Sequence, residues 1–121
     1  MDYPAAMTQA ERRTRGFLFA DLRGYTAFVE AHGDTAAAEL LAAYRNLVRE
    51  TVAQFGGAEI KTEGDSFYVV FDAASGAVEC GLALVEAAAA ASREQPERPI
   101  RVGVVQDFVG VRAYLHRLFG Y

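Results

Sequence analysis

Phe17-Leu18-Phe19-Ala20-Asp21-Leu22-Arg23-Gly24-Tyr25-Thr26 is an apolar run that ends on a carboxylate, with a glycine and a threonine hydroxyl close behind. A charged lead (Glu11, Arg12, Arg13, Arg15) and Gly24 bound it, which predicts a buried strand over residues 16–21. A second carboxylate stands in Lys61-Thr62-Glu63-Gly64-Asp65-Ser66. It lies between runs 58–62 and 66–71, two strands expected to join in a hairpin whose glycine supplies the unusual backbone angles.

The intervening segments read as helices. A short one fits Thr26 to His32 and stops at Gly33, after which Asp34 or Thr35 can cap a longer one. The longer helix carries Leu40, Leu41, Tyr44, Leu47, Val48, Thr51, Val52 and Phe55 on one stripe, and Gly56-Gly57 ends it. A third helix, capped by Asp72 or Ser75 and running to about Arg93, is expected to bury Val78, Leu82, Val85 and Ala89. Pro96 and Pro99 then break the pattern before a fourth strand, Ile100 to Val105.

The order is β-α-β-β-α-β, with the first helical segment split, which predicts a ferredoxin-like α+β fold with helices on one sheet face. In that arrangement the first and third strands are central antiparallel neighbours, so Asp21 at the end of one lies beside Asp65 at the start of the other. Strands about 4.8 Å apart let two carboxylates share one or two divalent cations. Hard oxygen ligands favour Mg²⁺ or Mn²⁺ over zinc. The turn from Leu22 into a helix start at Thr26 can offer backbone N–H groups and the Thr26 hydroxyl to phosphate oxygens.

Composition sets the frame. At 121 residues, 52% hydrophobic and 23% charged, the chain suffices for one domain with its own core. We divide it into a polar lead (1–15), a core domain (16–105) and a divergent tail (106–121). The net charge of −4 lacks the basic surplus of non-specific nucleic-acid binding, so no nucleic-acid partner is expected. The single cysteine, Cys80, sits among alanines and reads as a buried structural thiol in a reducing, cytoplasmic setting. The lead has no apolar h-region and the run Ala87 to Ala91 is too short to span a bilayer, so no membrane partner is expected. Each site residue also has an ordinary reading: Asp21 as a helix cap, Gly64-Asp65 as a plain hairpin turn, Lys61 as a solvated strand lysine. His32 and His116 have no partners for catalysis or metal binding and read as surface residues.

Three motifs, Phe19-Ala20-Asp21-Leu22-Arg23-Gly24-Tyr25-Thr26, Ile60-Lys61-Thr62-Glu63-Gly64-Asp65-Ser66-Phe67 and Arg101-Val102-Gly103-Val104, resemble the class III adenylate and guanylate cyclase catalytic domain, in order from about Gly16 to Val104. The resemblance implies that Asp21 and Asp65, helped by the Leu22 carbonyl, bind two metal ions and activate a ribose 3′-hydroxyl for attack on the α-phosphorus. It implies that the amides around Gly24, Tyr25 and Thr26 hold the phosphates. Lys61 falls where adenylate cyclases read adenine, implying ATP as substrate and cyclic AMP and diphosphate as products. It also implies a site shared across a head-to-tail homodimer, or a heterodimer with another cyclase subunit. The segment after Val105 departs from the family, with no Asn-x-x-x-Arg pair to orient the ribose and stabilise the transition state. Loss of such a group costs roughly 3 to 4 kcal/mol, so turnover by this chain alone is expected to be weak. The alternative is a non-catalytic module that binds nucleotide or pairs with a complete cyclase. Polymerase palm and diguanylate cyclase domains share the strand order and paired aspartates, but the chain has no Gly-Gly-Asp-Glu-Phe-type turn.

Overall fold

A computed structural model describes residues 15–107. The elements run β1 (Gly16–Leu22), α1 (Tyr25–Gln54), β2 (Ala58–Glu63), β3 (Ser66–Phe71), α2 (Ala74–Glu94) and β4 (Val102–Asp107). The strands form one antiparallel sheet in the order β2-β3-β1-β4, the expected ferredoxin-like α+β layout. Alternation along the strands divides the two faces. Leu18, Ala20 and Leu22 of β1 and Phe67, Val69 and Phe71 of β3 form the core with both helices.

α1 is two helices meeting at Gly33, whose φ of 85° and ψ of 174° break the helical path where the sequence places a stop. Its stripe behaves as expected: Leu40, Tyr44, Val48, Thr51 and Val52 are buried, with Leu41, Leu47 and Phe55 packed at the margin. β2 and β3 are joined by Gly64 and Asp65 alone, with Gly64 at φ 57°. A positive φ at the first position of a two-residue hairpin suits the right-handed twist of the flanking strands.

α2 corrects two expectations. It begins without a side-chain cap, with the extended Ala73 at the N-cap in place of Asp72 or Ser75. Its buried face is Ala77, Cys80, Gly81, Leu84 and Ala88, while Val78, Leu82 and Val85 stand 38%, 63% and 53% exposed and Ala89 is exposed too. The reason is close approach. A Cβ on Gly16 would lie 2.6 Å from that of Ala77, and one on Gly81 would collide with the Gln106 side-chain amide. Only small residues fit that near the sheet, so the larger ones turn outward. By length and composition α2 could cross a membrane, its most apolar window having a mean hydropathy of 1.4, yet it packs on the sheet along its small-residue face.

β4 runs two residues beyond the expected Val105, into the segment set apart as a tail. Gln106 holds it there by donating from Nε2 to the Ala77 carbonyl at 2.6 Å. The expectations for the lead through Thr14 and for 108–121 lie outside the described residues.

Candidate metal and phosphate site

β1 and β3 pair from Gly16↔Phe71 to Ala20↔Phe67. Asp21 is the next residue of β1, and Asp65 stands two residues before Phe67 in the hairpin turn. The register therefore brings the two predicted carboxylates to the same end of the two central strands. Leu22 joins them through its backbone. The Arg23 amide donates to the Arg101 carbonyl at 2.7 Å, so residue 23 turns its backbone groups toward β4. Successive residues alternate, which aims the Leu22 carbonyl at the β3 side, where the Asp65 turn lies.

Asp21 is held but not satisfied. Its side chain is 28% exposed and its Oδ1 lies 3.2 Å from Arg23 Nε. That contact is an ion pair without hydrogen-bond geometry, and the buried Oδ1 has no hydrogen-bond partner. Both side chains lie across Gly103: a Cβ there would sit 2.7 Å from Arg23 Nη2 and closer still to Asp21 Oδ1. The glycine of the third motif thus leaves room for the carboxylate.

The start of α1 faces this end of the sheet. Gly24 takes the N-cap in the left-handed region, φ 73°, with no side-chain hydrogen bond capping the helix and no acidic residue in its first turn. The first N–H groups and the positive end of the helix dipole are left for an external anion. Tyr25 is half-buried there and Thr26 exposed.

Lys61 is placed differently. It pairs with Tyr68 across β2 and β3, in a row that continues through Phe19 to Val105 on the sheet face away from the helices. Its Nζ lies 3.1 Å from Glu63 Oε1. At about 3.3 Å of rise per residue, that row sits well up the strands from the Asp65 turn.

Two neighbours escaped the sequence reading. The Tyr44 ring is fully buried, edge-on to Phe67 at a centroid distance of 5.7 Å, and its hydroxyl has no hydrogen-bond partner. Burial, then the charge of Asp65, then that of Asp21 push its ionisation far up, against a smaller opposing pull from Arg45. One hydroxyl thus senses both carboxylates. Arg45 donates from Nη2 to the Gly64 carbonyl at 2.6 Å, tying α1 to the turn that carries Asp65, while its buried Nε lacks a partner. Tyr44 had looked like one more aromatic in an apolar stripe; the available signal was a hydroxyl-bearing residue, followed directly by arginine, inside a run of Leu and Val.

Among the described residues no group of three His, Cys, Asp or Glu side chains gathers to enclose a metal. Two carboxylates and a carbonyl nonetheless suit Mg²⁺, which binds through one or two carboxylates and keeps its remaining positions for water and substrate phosphate. The unpartnered Asp21 Oδ1 is the acceptor such an ion would take up.

The frame is an α+β domain: an antiparallel sheet with helices on one face, carboxylates at the end of its central strands and an uncapped helix start beside them. The chain belongs to the adenylate and guanylate cyclase catalytic domain family, whose model matches residues 8–114. It is 35% identical over 102 residues to the Rhizobium meliloti (strain 1021) protein named "Putative adenylate cyclase 3", covering 82% of this chain and 17% of that protein. Its fold is that of the adenylyl cyclase CyaB from P. aeruginosa (TM-score 0.67, 24% identity, 76% of this chain and 54% of that one). The guanylyl cyclase Cya2 is equally similar (TM-score 0.68, 23% identity, 76% and 52%). The chain thus spans about half of those solved structures and a smaller share of the sequence relative.

Proposed function

We propose that this domain converts ATP to cyclic AMP and diphosphate with two Mg²⁺ or Mn²⁺ ions, in a head-to-tail pair with a second copy or another cyclase subunit in the cytoplasm. What supports the reading is the strand register that brings Asp21 and Asp65 to the same end of β1 and β3, beside a helix start with no side-chain cap. Asp21 and Asp65 would hold the ions, with the Leu22 carbonyl as a further oxygen ligand. Bound there, divalent ions would supply charge neutralisation of the triphosphate and activation of the ribose 3′-hydroxyl. The amides following Gly24, and the Thr26 hydroxyl, would orient the phosphate oxygens. Lys61 would read adenine, which favours ATP over GTP, and its distance along the strands from Asp65 suits a base held by one subunit and a triphosphate held by the other. The buried thiol of Cys80 fits a reducing compartment.

The test is nucleotide turnover by the chain with Mn²⁺ and ATP, repeated with GTP and with Asp21→Ala. Cyclic AMP that forms from ATP and disappears in the variant supports the reading. Mn²⁺-dependent ATP binding without product would make the chain a non-catalytic cyclase module, and metal-independent binding would overturn the metal assignment.

A further inference from the structure

Tyr44 and Arg45 are adjacent on α1, and the proposed reaction does not use them. Both keep polar atoms where polar atoms are unfavourable. The Tyr44 hydroxyl is buried without a hydrogen-bond partner, and so is Arg45 Nε. Each could be replaced by an apolar atom at no loss of contact, and a leucine or phenylalanine at 44 would complete the stripe of Leu40 and Val48. What distinguishes the pair is what it touches. Arg45 reaches across nineteen positions of sequence to the carbonyl of Gly64, the residue before Asp65. The Tyr44 ring packs on Phe67, which stands two residues after Asp65 and pairs with Ala20, the neighbour of Asp21. The third buried, unpartnered side-chain atom of the described residues is Asp21 Oδ1 itself. Three such atoms therefore belong to one end of the sheet, on two adjacent helical residues and the Asp21 carboxylate.

We propose that Tyr44 and Arg45 are positioning residues for the metal site: Arg45 fixes the Gly64–Asp65 turn through the Gly64 carbonyl, and the Tyr44 hydroxyl is the buried donor that orients the carboxylates when they hold a divalent ion. This rests on the reading that Asp21 and Asp65 are the metal ligands. The physical need is general. A carboxylate has several lone-pair directions, and a fixed outer donor selects the one that faces the ion; loss of such a donor typically weakens metal binding 10- to 100-fold. A helix residue provides that donor with little freedom to move, because the Tyr44 ring is clamped against Phe67. Arg45 acts on the other coordinate, since a two-residue turn has few contacts of its own and its carbonyl would otherwise swing with the hairpin tip.

The experiment is Mn²⁺ affinity of the full chain, read from the electron paramagnetic resonance signal of free Mn²⁺, with the melting temperature of each metal-free protein measured alongside. Native protein is compared with Tyr44→Phe, Arg45→Met, Arg45→Lys and Asp65→Asn. The expected result is loss of binding in Asp65→Asn and a 10- to 100-fold weakening in Tyr44→Phe and Arg45→Met. Arg45→Lys should recover part of the affinity, since an ammonium can still donate to the Gly64 carbonyl. Tyr44→Phe should melt no lower than native, a combination that a purely structural tyrosine does not give. Native affinity in Tyr44→Phe and Arg45→Met, with binding lost in Asp65→Asn, would overturn the positioning role and leave the metal assignment standing. Absence of Mn²⁺ binding by the native chain would overturn both.

Discussion

The two ends of β1 are built by opposite rules. At Gly16 the strand meets α2 so closely that a Cβ would press on Ala77, the Ala73 carbonyl and the Ala74 Cα, and every neighbour is small or apolar. At Asp21, five residues on, the strand nears its end beside Asp21 Oδ1, Tyr44 Oη and Arg45 Nε, buried polar atoms without hydrogen-bond partners. One end follows the logic of dense packing; the other sets it aside. Departures from internal consistency concentrate where a protein binds something, and here the departure coincides with the cyclase motifs.

The packed end should be the more sensitive to changes in side-chain size. Leu84→Ala, which empties a fully buried position on α2, should cost about 3 kcal/mol in urea unfolding, whereas Leu82→Ala, two residues away and 63% exposed, should change stability by less than about 0.5 kcal/mol. Equal costs would mean that α2 sits on the sheet by its other face. Gly16→Val should cost about 2 kcal/mol, because Ala77 and the backbone of residues 73 and 74 cannot withdraw as a flexible side-chain tip could.

At the carboxylate end the direction reverses. Tyr44→Phe removes a buried hydroxyl that makes no hydrogen bond and should raise the stability of the metal-free protein by about 1 kcal/mol. A loss of that size would mean that the hydroxyl is satisfied in solution and the contrast between the ends is weaker than described. Gly103→Ala sharpens the same point. Its new methyl meets the tips of Asp21 and Arg23, which can move aside, so stability should change by less than about 1 kcal/mol while the displaced carboxylate weakens Mn²⁺ binding.

The smallest effect concerns Glu59, away from both ends. Hydrogen bonds from Arg49 and then Thr62 hold its carboxyl below its ordinary value of 4.5. A folded value below the unfolded one contributes stability that is present above the unfolded value and lost as pH falls through the folded one. The Arg49 pair is partly exposed, so Glu59→Gln should cost at most about 1 kcal/mol at pH 7, and the difference should shrink as acid titrates the native carboxylate. A difference independent of pH would assign the effect to packing.

The same contrast explains what was legible in the sequence. α1 could be read because its stripe of Leu40, Tyr44, Val48 and Val52 is both the larger face and the buried one. α2 misled because hydrophobic periodicity weighs side chains by size, while the spacing between α2 and β1 admits only Ala77, Cys80, Gly81 and Ala88 alongside Leu84. Nothing local announces that spacing. That Asp21 and Asp65 lie at the same end of the central strands followed from strand order, and the break in α1 from Gly33, both properties of backbone topology. Tyr44 and Arg45 stayed hidden because a tyrosine that packs its ring like a phenylalanine gives no periodic sign of where its hydroxyl goes. The end of β4 shifted for a similar reason, since Gln106 is fixed by a carbonyl twenty-nine positions away in sequence.

The most direct test compares the two ends of β1 in one spectrum: amide signals of the isotope-labelled chain recorded during a Mn²⁺ titration, where paramagnetic broadening falls steeply with distance from the ion. The account predicts that the amides of residues 21–26 and 64–66 disappear first while those of Phe17, Ala77 and Cys80 persist. Broadening centred on another acidic surface, such as Glu79 and Glu86 of α2, would contradict it.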